Sequence, residues 1–194
     1  MTTHTNTAHD SRSTRRTTHR SPFAGSVAAL AALGVVALSG CGADDAAAFD
    51  DDVLEVEMND FHYGELPERV QVGTELAVSN AADSELHEFV AFRLADDDER
   101  TVEEIMEGDV GAILGGGLPA MVHLAPPGSA EQIIAVGDGT FAEPGRYLIL
   151  CAIPTGADPA EYLAAAAESD GPPQVDGGQP HFMNGMYAEI EVTG

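Results

Sequence analysis

Gly145-Arg146-Tyr147-Leu148-Ile149-Leu150-Cys151 joins a turn-forming glycine to a compact run of aromatic and aliphatic residues that stops at a cysteine. Such a run is too short for a stable helix and rich in residues that fit a pleated surface, so it predicts a strand with Cys151 at its end. Six further runs of this kind lie outward from it: Val53 to Met58, Arg69 to Val72, Glu75 to Asn80, His87 to Arg93, Glu131 to Val136 and Met186 to Val192. In the first of them Leu54 and Val56 share one face. Short β-rich runs punctuated by Gly, Pro, Asn and Asp predict an all-β chain folded as an antiparallel sandwich or barrel.

Two segments break this pattern. Thr101-Val102-Glu103-Glu104 has the form of a capping box ahead of Ile105 and Met106, with Gly108 placed to close the turn. Asp158-Pro159-Ala160-Glu161 repeats that logic with a proline at the first helical position, and Ser169 to Pro173 stops the helix after Tyr162, Leu163 and four alanines. Both are expected as helical insertions between strands. Gly115-Gly116-Gly117 lacks the Lys-Ser/Thr of a phosphate loop and is expected as a flexible turn.

The 194 residues are 44% hydrophobic and 21% charged, proportions that fit a folded domain rather than a disordered chain. All eight basic residues are Arg, against 33 acidic ones, and the net charge of -25 excludes nucleic acid, which needs a basic stripe. Four of those Arg, with the single acid Asp10, fall in residues 1–40. A run without charge from Phe23 to Leu38 follows them. It is shorter than the about 20 residues of a membrane-spanning helix and suits the apolar region of an export signal. Leu38-Ser39-Gly40-Cys41, which ends it, looks like a bacterial lipobox, in which small residues precede a lipid-bearing Cys. Arg15-Arg16 resembles a twin-arginine signal, but Thr17-Thr18 stand where that signal carries apolar residues, so the export route stays open.

The expected organisation is a lipoprotein signal peptide at 1–40, lipidation at Cys41, an acidic tether at 41–52 and a folded domain at 53–194. The protein is then exported and lipid-anchored, at the outer face of the cell membrane or in the periplasm. Lipidation of Cys41 leaves Cys151 as the one thiol of the mature chain, either an inert core residue or a metal ligand.

His87 begins one expected strand, Cys151 ends another, and His181 and Met186 lead into the last. Two imidazoles and a thiolate with a weak axial thioether form the donor set of blue-copper sites, a mixture that accommodates both Cu(I) and Cu(II). Four residues separate His181 from Met186, enough for one tight loop to turn both inward. Met183 competes with Met186 as the thioether. His62 is expected at the surface, and His123 in a strand or loop.

These pieces resemble the cupredoxins, the plastocyanin-like small copper proteins. The matching stretches are Asn80 followed by His87-Glu88-Phe89-Val90, then Gly145 to Cys151, then Pro180-His181 and Gly185-Met186 before the closing strand, with Ile153-Pro154 after the Cys as in an exported branch. The resemblance implies a cupredoxin-like Greek-key β-sandwich with helical insertions. It also implies one type 1 copper held by His87, Cys151, His181 and Met186, and a role in one-electron transfer or copper handling. One departure stands out: 29 residues, Ala152 to Pro180, separate Cys151 from His181, where many cupredoxins have only a few.

No nucleophile, base and orienting acid of a hydrolase is recognisable, and copper enzymes use more His ligands, so the chain is not expected to be an enzyme. Its expected partners are the membrane, through the lipid, and a redox protein. Acidic runs such as Asp96 to Glu99 read as a solvated face or as a docking surface for a basic partner. The alternative is a metal-free cupredoxin-fold module that binds partners in the envelope.

Overall fold

The computed structural model describes residues 52–108, 110–169 and 171–194. The export signal, Cys41 and all but the last residue of the acidic tether lie outside them.

Alternating burial organises the first strand, β1 (Val53–Asn59), which turns Leu54, Val56 and Met58 inward and the residues between them outward. It pairs antiparallel with the two-residue β2 (His62–Tyr63) and parallel with β4 (Glu75–Asn80) to make one sheet of order β2-β1-β4. The second sheet has the order β3-β9-β8-β5-β6-β7, built from β3 (Arg69–Gln71), β5 (His87–Arg93), β6 (Met121–Ala125), β7 (Ile133–Val136), β8 (Gly145–Leu150) and β9 (Tyr187–Thr193). The expected β-sandwich with helical insertions is present, but two of its strand pairs, β1 with β4 and β3 with β9, run parallel where an antiparallel arrangement was expected.

Residues of β5 and β8 are buried on both faces, which is why both read as continuous apolar runs. Phe89 and Ala91, with Tyr147 and Ile149, enter the core between the sheets. Val90 and Phe92, with Leu148 and Leu150, face the other way, under Val102 and Ile105 of α1 (Val102–Glu107). That helix is closed by the expected capping box between Thr101 and Glu104. The second expected helix is α3 (Pro159–Glu168), with Asp158 accepting from the Glu161 N–H and Pro159 in the first turn.

Three elements escaped the sequence patterns. Strand β2 is too short to show alternation. Strand β6 carries His123, fully buried, at a position where a strand pattern calls for an apolar residue. Helix α2 (Val110–Gly115) has no fully buried residue and therefore no periodic apolar stripe to read. Among the described residues no helix is long and apolar enough to cross a membrane.

The order β9-β8-β5 decides where chemistry can gather. Register pairs Val90 with Leu150 and Leu150 with Tyr187, so the start of β5, the end of β8 and the start of β9 meet at one pole of the sheet.

Candidate metal centre

His87 is the first residue of β5 and shares the inward face of Phe89 and Ala91, while Cys151 follows the last residue of β8 on the face of Tyr147 and Ile149. Period-two alternation therefore points both toward the sandwich interior. Asn80 fixes the approach to His87: its amide donates to the carbonyls of Glu85 and Ala125, and its oxygen accepts from the Ala82 N–H. His181 opens a single 3-10 turn, His181–Asn184, that Gly185 closes at a φ of 103°, a left-handed conformation that suits glycine. Met186 comes next, bound through its backbone to both neighbours: its carbonyl accepts from the Cys151 N–H and its N–H donates to the His181 carbonyl.

The long excursion is closed at its neck. The N–H groups of His181 and Phe182 donate to the carbonyls of Ile153 and Cys151, Thr155 pairs with Gln179, and Pro154 bridges Pro180. Gly177 is needed for this closure, because a Cβ there would stand 2.5 Å from that of Pro154. The excursion leaves and returns through one antiparallel contact, so its 29 residues do not separate the ligands in space.

Nδ1 of His87 lies 3.1 Å from Nδ1 of His181, which lies 3.3 Å from the Cys151 sulfur. The three donor atoms all fall within 4.8 Å of one another, and all three side chains are fully buried. Met186 is equally buried, whereas Met183 is 54% exposed. His62 is exposed and His123 sits on β6 beside Gln132. The structure thus brings His87, Cys151 and His181 together and places His62 and His123 outside that group.

The donor set fits a soft first-row metal. Bonds of about 2.0 Å to each nitrogen in a trigonal plane would set the nitrogens about 3.5 Å apart, a few tenths beyond the spacing here. Two ring atoms that face away from the centre, Nε2 of His87 and of His181, make no hydrogen bond despite full burial. Carboxylates stand near both: Asp60 at 3.9 Å from His87 Nε2 and Glu85 at 3.2 Å from His181 Nε2, the latter out of line for a hydrogen bond. Acidic neighbours at Nε2 favour the tautomer that leaves Nδ1 free to bind metal.

Burial also sets the protonation states. It pushes His87 down to about 4, with His181 adding to the fall and Asp60 opposing it. His181 is lowered by burial against the pull of Glu85, and the Cys151 thiol is raised by burial and then by Glu88. The metal-free site is therefore two neutral imidazoles and a protonated thiol at neutral pH.

Three neighbours of the site were not anticipated as such. Phe61, at the tip of the β1–β2 hairpin, meets the His181 ring edge-on. Glu85 and Glu88 flank His87. A signal existed only for Glu88, a carboxylate inside an otherwise apolar strand; its N–H donates to the Cys151 sulfur at 3.4 Å, and burial raises its carboxyl to about 7.

No protein family matches the chain by sequence, and no curated protein does. Solved structures similar to it include a dithionite-reduced auracyanin from the photosynthetic bacterium Roseiflexus castenholzii, 18% identical over 74% of this chain and 98% of that one, with a TM-score of 0.42. Auracyanin A from the green thermophilic photosynthetic bacterium Chloroflexus aurantiacus, described as a "blue" copper protein, is 11% identical over 73% and 98%, with a TM-score of 0.38. Auracyanin B is 14% identical over 80% and 96%, with a TM-score of 0.35.

Proposed function

We propose that this protein is a blue-copper electron carrier, exported and anchored by lipid at Cys41, that passes single electrons to or from a redox partner. The observation that carries the reading is the buried triangle of His87 Nδ1, His181 Nδ1 and Cys151 Sγ. Copper bound there would supply a one-electron couple, and two nitrogens with a thiolate suit both of its oxidation states.

The chain's own residues supply the rest. Backbone bonds at the neck of the excursion hold the donors in place. Full burial of all three keeps water from adding as a further ligand. The Glu88 N–H donates to the sulfur that would carry the metal, which moderates its electron density. Met186, a fully buried thioether hydrogen-bonded through its backbone to Cys151 and His181, would supply the weak fourth ligand.

The test is to titrate the full-length chain with Cu(II) and record the visible spectrum. A strong thiolate-to-copper charge-transfer band, with its loss in Cys151→Ser, is the expected result. A colourless copper-loaded protein whose thiol still reacts freely would overturn the reading.

A further inference from the structure

We propose that Glu85 and Glu88 are positioning residues that clasp the 29-residue excursion to the metal centre, doing through side chains what a short ligand loop would do through its length. They stand on either side of His87, one before β5 and one within it. Both carboxylates reach across to the excursion rather than to solvent.

Glu88 is 4% exposed and accepts two hydrogen bonds. One comes from the N–H of Ala152 at 2.9 Å, directly after Cys151, and the other from the Tyr162 hydroxyl at 3.3 Å. Tyr162 is the buried residue of α3, so this bond ties the helix of the excursion to the strand that carries His87. The backbone of Glu88 is held in turn, since the Tyr63 hydroxyl donates to its carbonyl at 2.9 Å. Glu85 receives the Gly156 N–H on both oxygens, at 3.2 and 3.1 Å, and one of those oxygens stands 3.2 Å from His181 Nε2. The excursion is thereby fixed at Ala152, at Gly156 and at Tyr162, with His181 attached at its far end.

A buried carboxylate is costly to maintain, and an apolar residue at position 88 would serve a strand core better. The hydrogen bonds give the carboxylate its reason. Loss of a partner that orients a ligand commonly weakens metal affinity by about 10- to 100-fold. The proposal rests on the metal-centre reading only for that consequence, because the clasp itself is a property of the metal-free fold.

The experiment compares wild type with Glu85→Ala, Glu88→Ala, Glu85→Gln, Glu88→Gln and Tyr162→Phe in the full-length chain. Amide hydrogen exchange is read without metal, and the visible spectrum and chelator release are read with Cu(II). Each Ala variant is expected to speed exchange by about tenfold, at Gly156 for Glu85 and at Ala152 and through α3 for Glu88, while β5 and β8 stay protected. The copper band should shift, and copper should be lost about tenfold faster or more. Glutamine keeps an acceptor oxygen and should restore most of both signals. Tyr162→Phe should loosen α3 alone, and it carries the test should Glu88→Ala fail to fold. Wild-type exchange in α3 for both Glu88→Ala and Tyr162→Phe, or glutamine variants as impaired as the alanine ones, would overturn the clasp. A wild-type chain that binds no copper would instead remove the metal-centre reading and leave the exchange comparison to decide the clasp.

Discussion

Phe61 meets His181 edge-on, with ring centroids 5.1 Å apart and ring planes at 81°, from a backbone held at a φ of 60°. Asn59 pairs with His62, so Asp60 and Phe61 form a two-residue hairpin turn whose second position would suit glycine. A bulky residue in the left-handed region costs about 1–2 kcal/mol, and an aromatic pair returns about 0.5–1.5 kcal/mol. The two nearly balance, so the turn is held by its contact with the His181 ring.

Replacing Phe61 should therefore separate strain from cover. Phe61→Ala keeps the strained backbone and loses the ring, so it should be less stable than Phe61→Gly by about 1 kcal/mol, the reverse of the usual order for these residues. Both should release copper to a chelator faster than wild type, since His181 loses its cover. Thermal unfolding of the metal-free variants checks the first expectation. Equal stability of the two would show that the turn stores no strain.

The two methionines should behave differently. Met186→Leu keeps the burial and removes the thioether, so copper should stay bound with its reduction potential shifted, because the axial bond is weak. Met183→Leu, at an exposed position, should leave the potential unchanged. Voltammetry of the copper-loaded variants tests this, and a shift confined to Met183→Leu would reverse the assignment. Loss of His87 or His181 should be more severe, since each removes a nitrogen of the triangle.

Copper loading should release about one proton at pH 7, because burial keeps Cys151 as a thiol and the metal binds the thiolate. A pH indicator in weakly buffered solution reads this directly. Cys151→Ser should abolish the release. Metal uptake without a proton would mean that the sulfur is not a ligand.

Stability of the metal-free chain should fall as pH drops from about 6.5 toward 4. His87, His123 and His181 all have folded values below that of a free imidazole, His87 at about 4, because burial disfavours their charged forms. The unfolded chain then binds more protons across that window, and acid favours it. Glu88 acts in the opposite sense: its folded value is raised to about 7, so its contribution is complete below about 4.5 and is lost as pH rises through 7. Both effects fall between about pH 4 and 7, where three imidazoles outweigh one carboxyl. Denaturant titrations should therefore show stability rising from about pH 4 to 7, and Glu88→Gln should steepen that rise. A steady rise of stability toward pH 4 would contradict these assignments.

Anchoring is tested at Cys41. Wild type should partition with membranes, and Cys41→Ser should either be released or accumulate with its signal uncleaved. Equal membrane association of a cleaved, unlipidated form would remove the lipid anchor from the proposal.

Local chemistry made much of this protein legible in one dimension. Alternation in β1 and β4, the apolar runs of β5 and β8, the capping box at Thr101 and the Asp158-Pro159 start of α3 are all decided by neighbours in sequence, and each is found where its pattern placed it. The four candidate donors could be named as well, because His87, Cys151 and Met186 stand at the ends of strands that the sequence pattern already marks and His181 leads into the last of them. Tertiary structure alone decided whether they meet. Register between β5, β8 and β9, the closure of the excursion at Ile153 and His181, and the reach of Glu85, Glu88 and Phe61 to the site all join residues distant in sequence. No local propensity encodes such contacts. They exist because burying both faces of the central strands fixes one register, and that register brings the ends of three strands to a single pole.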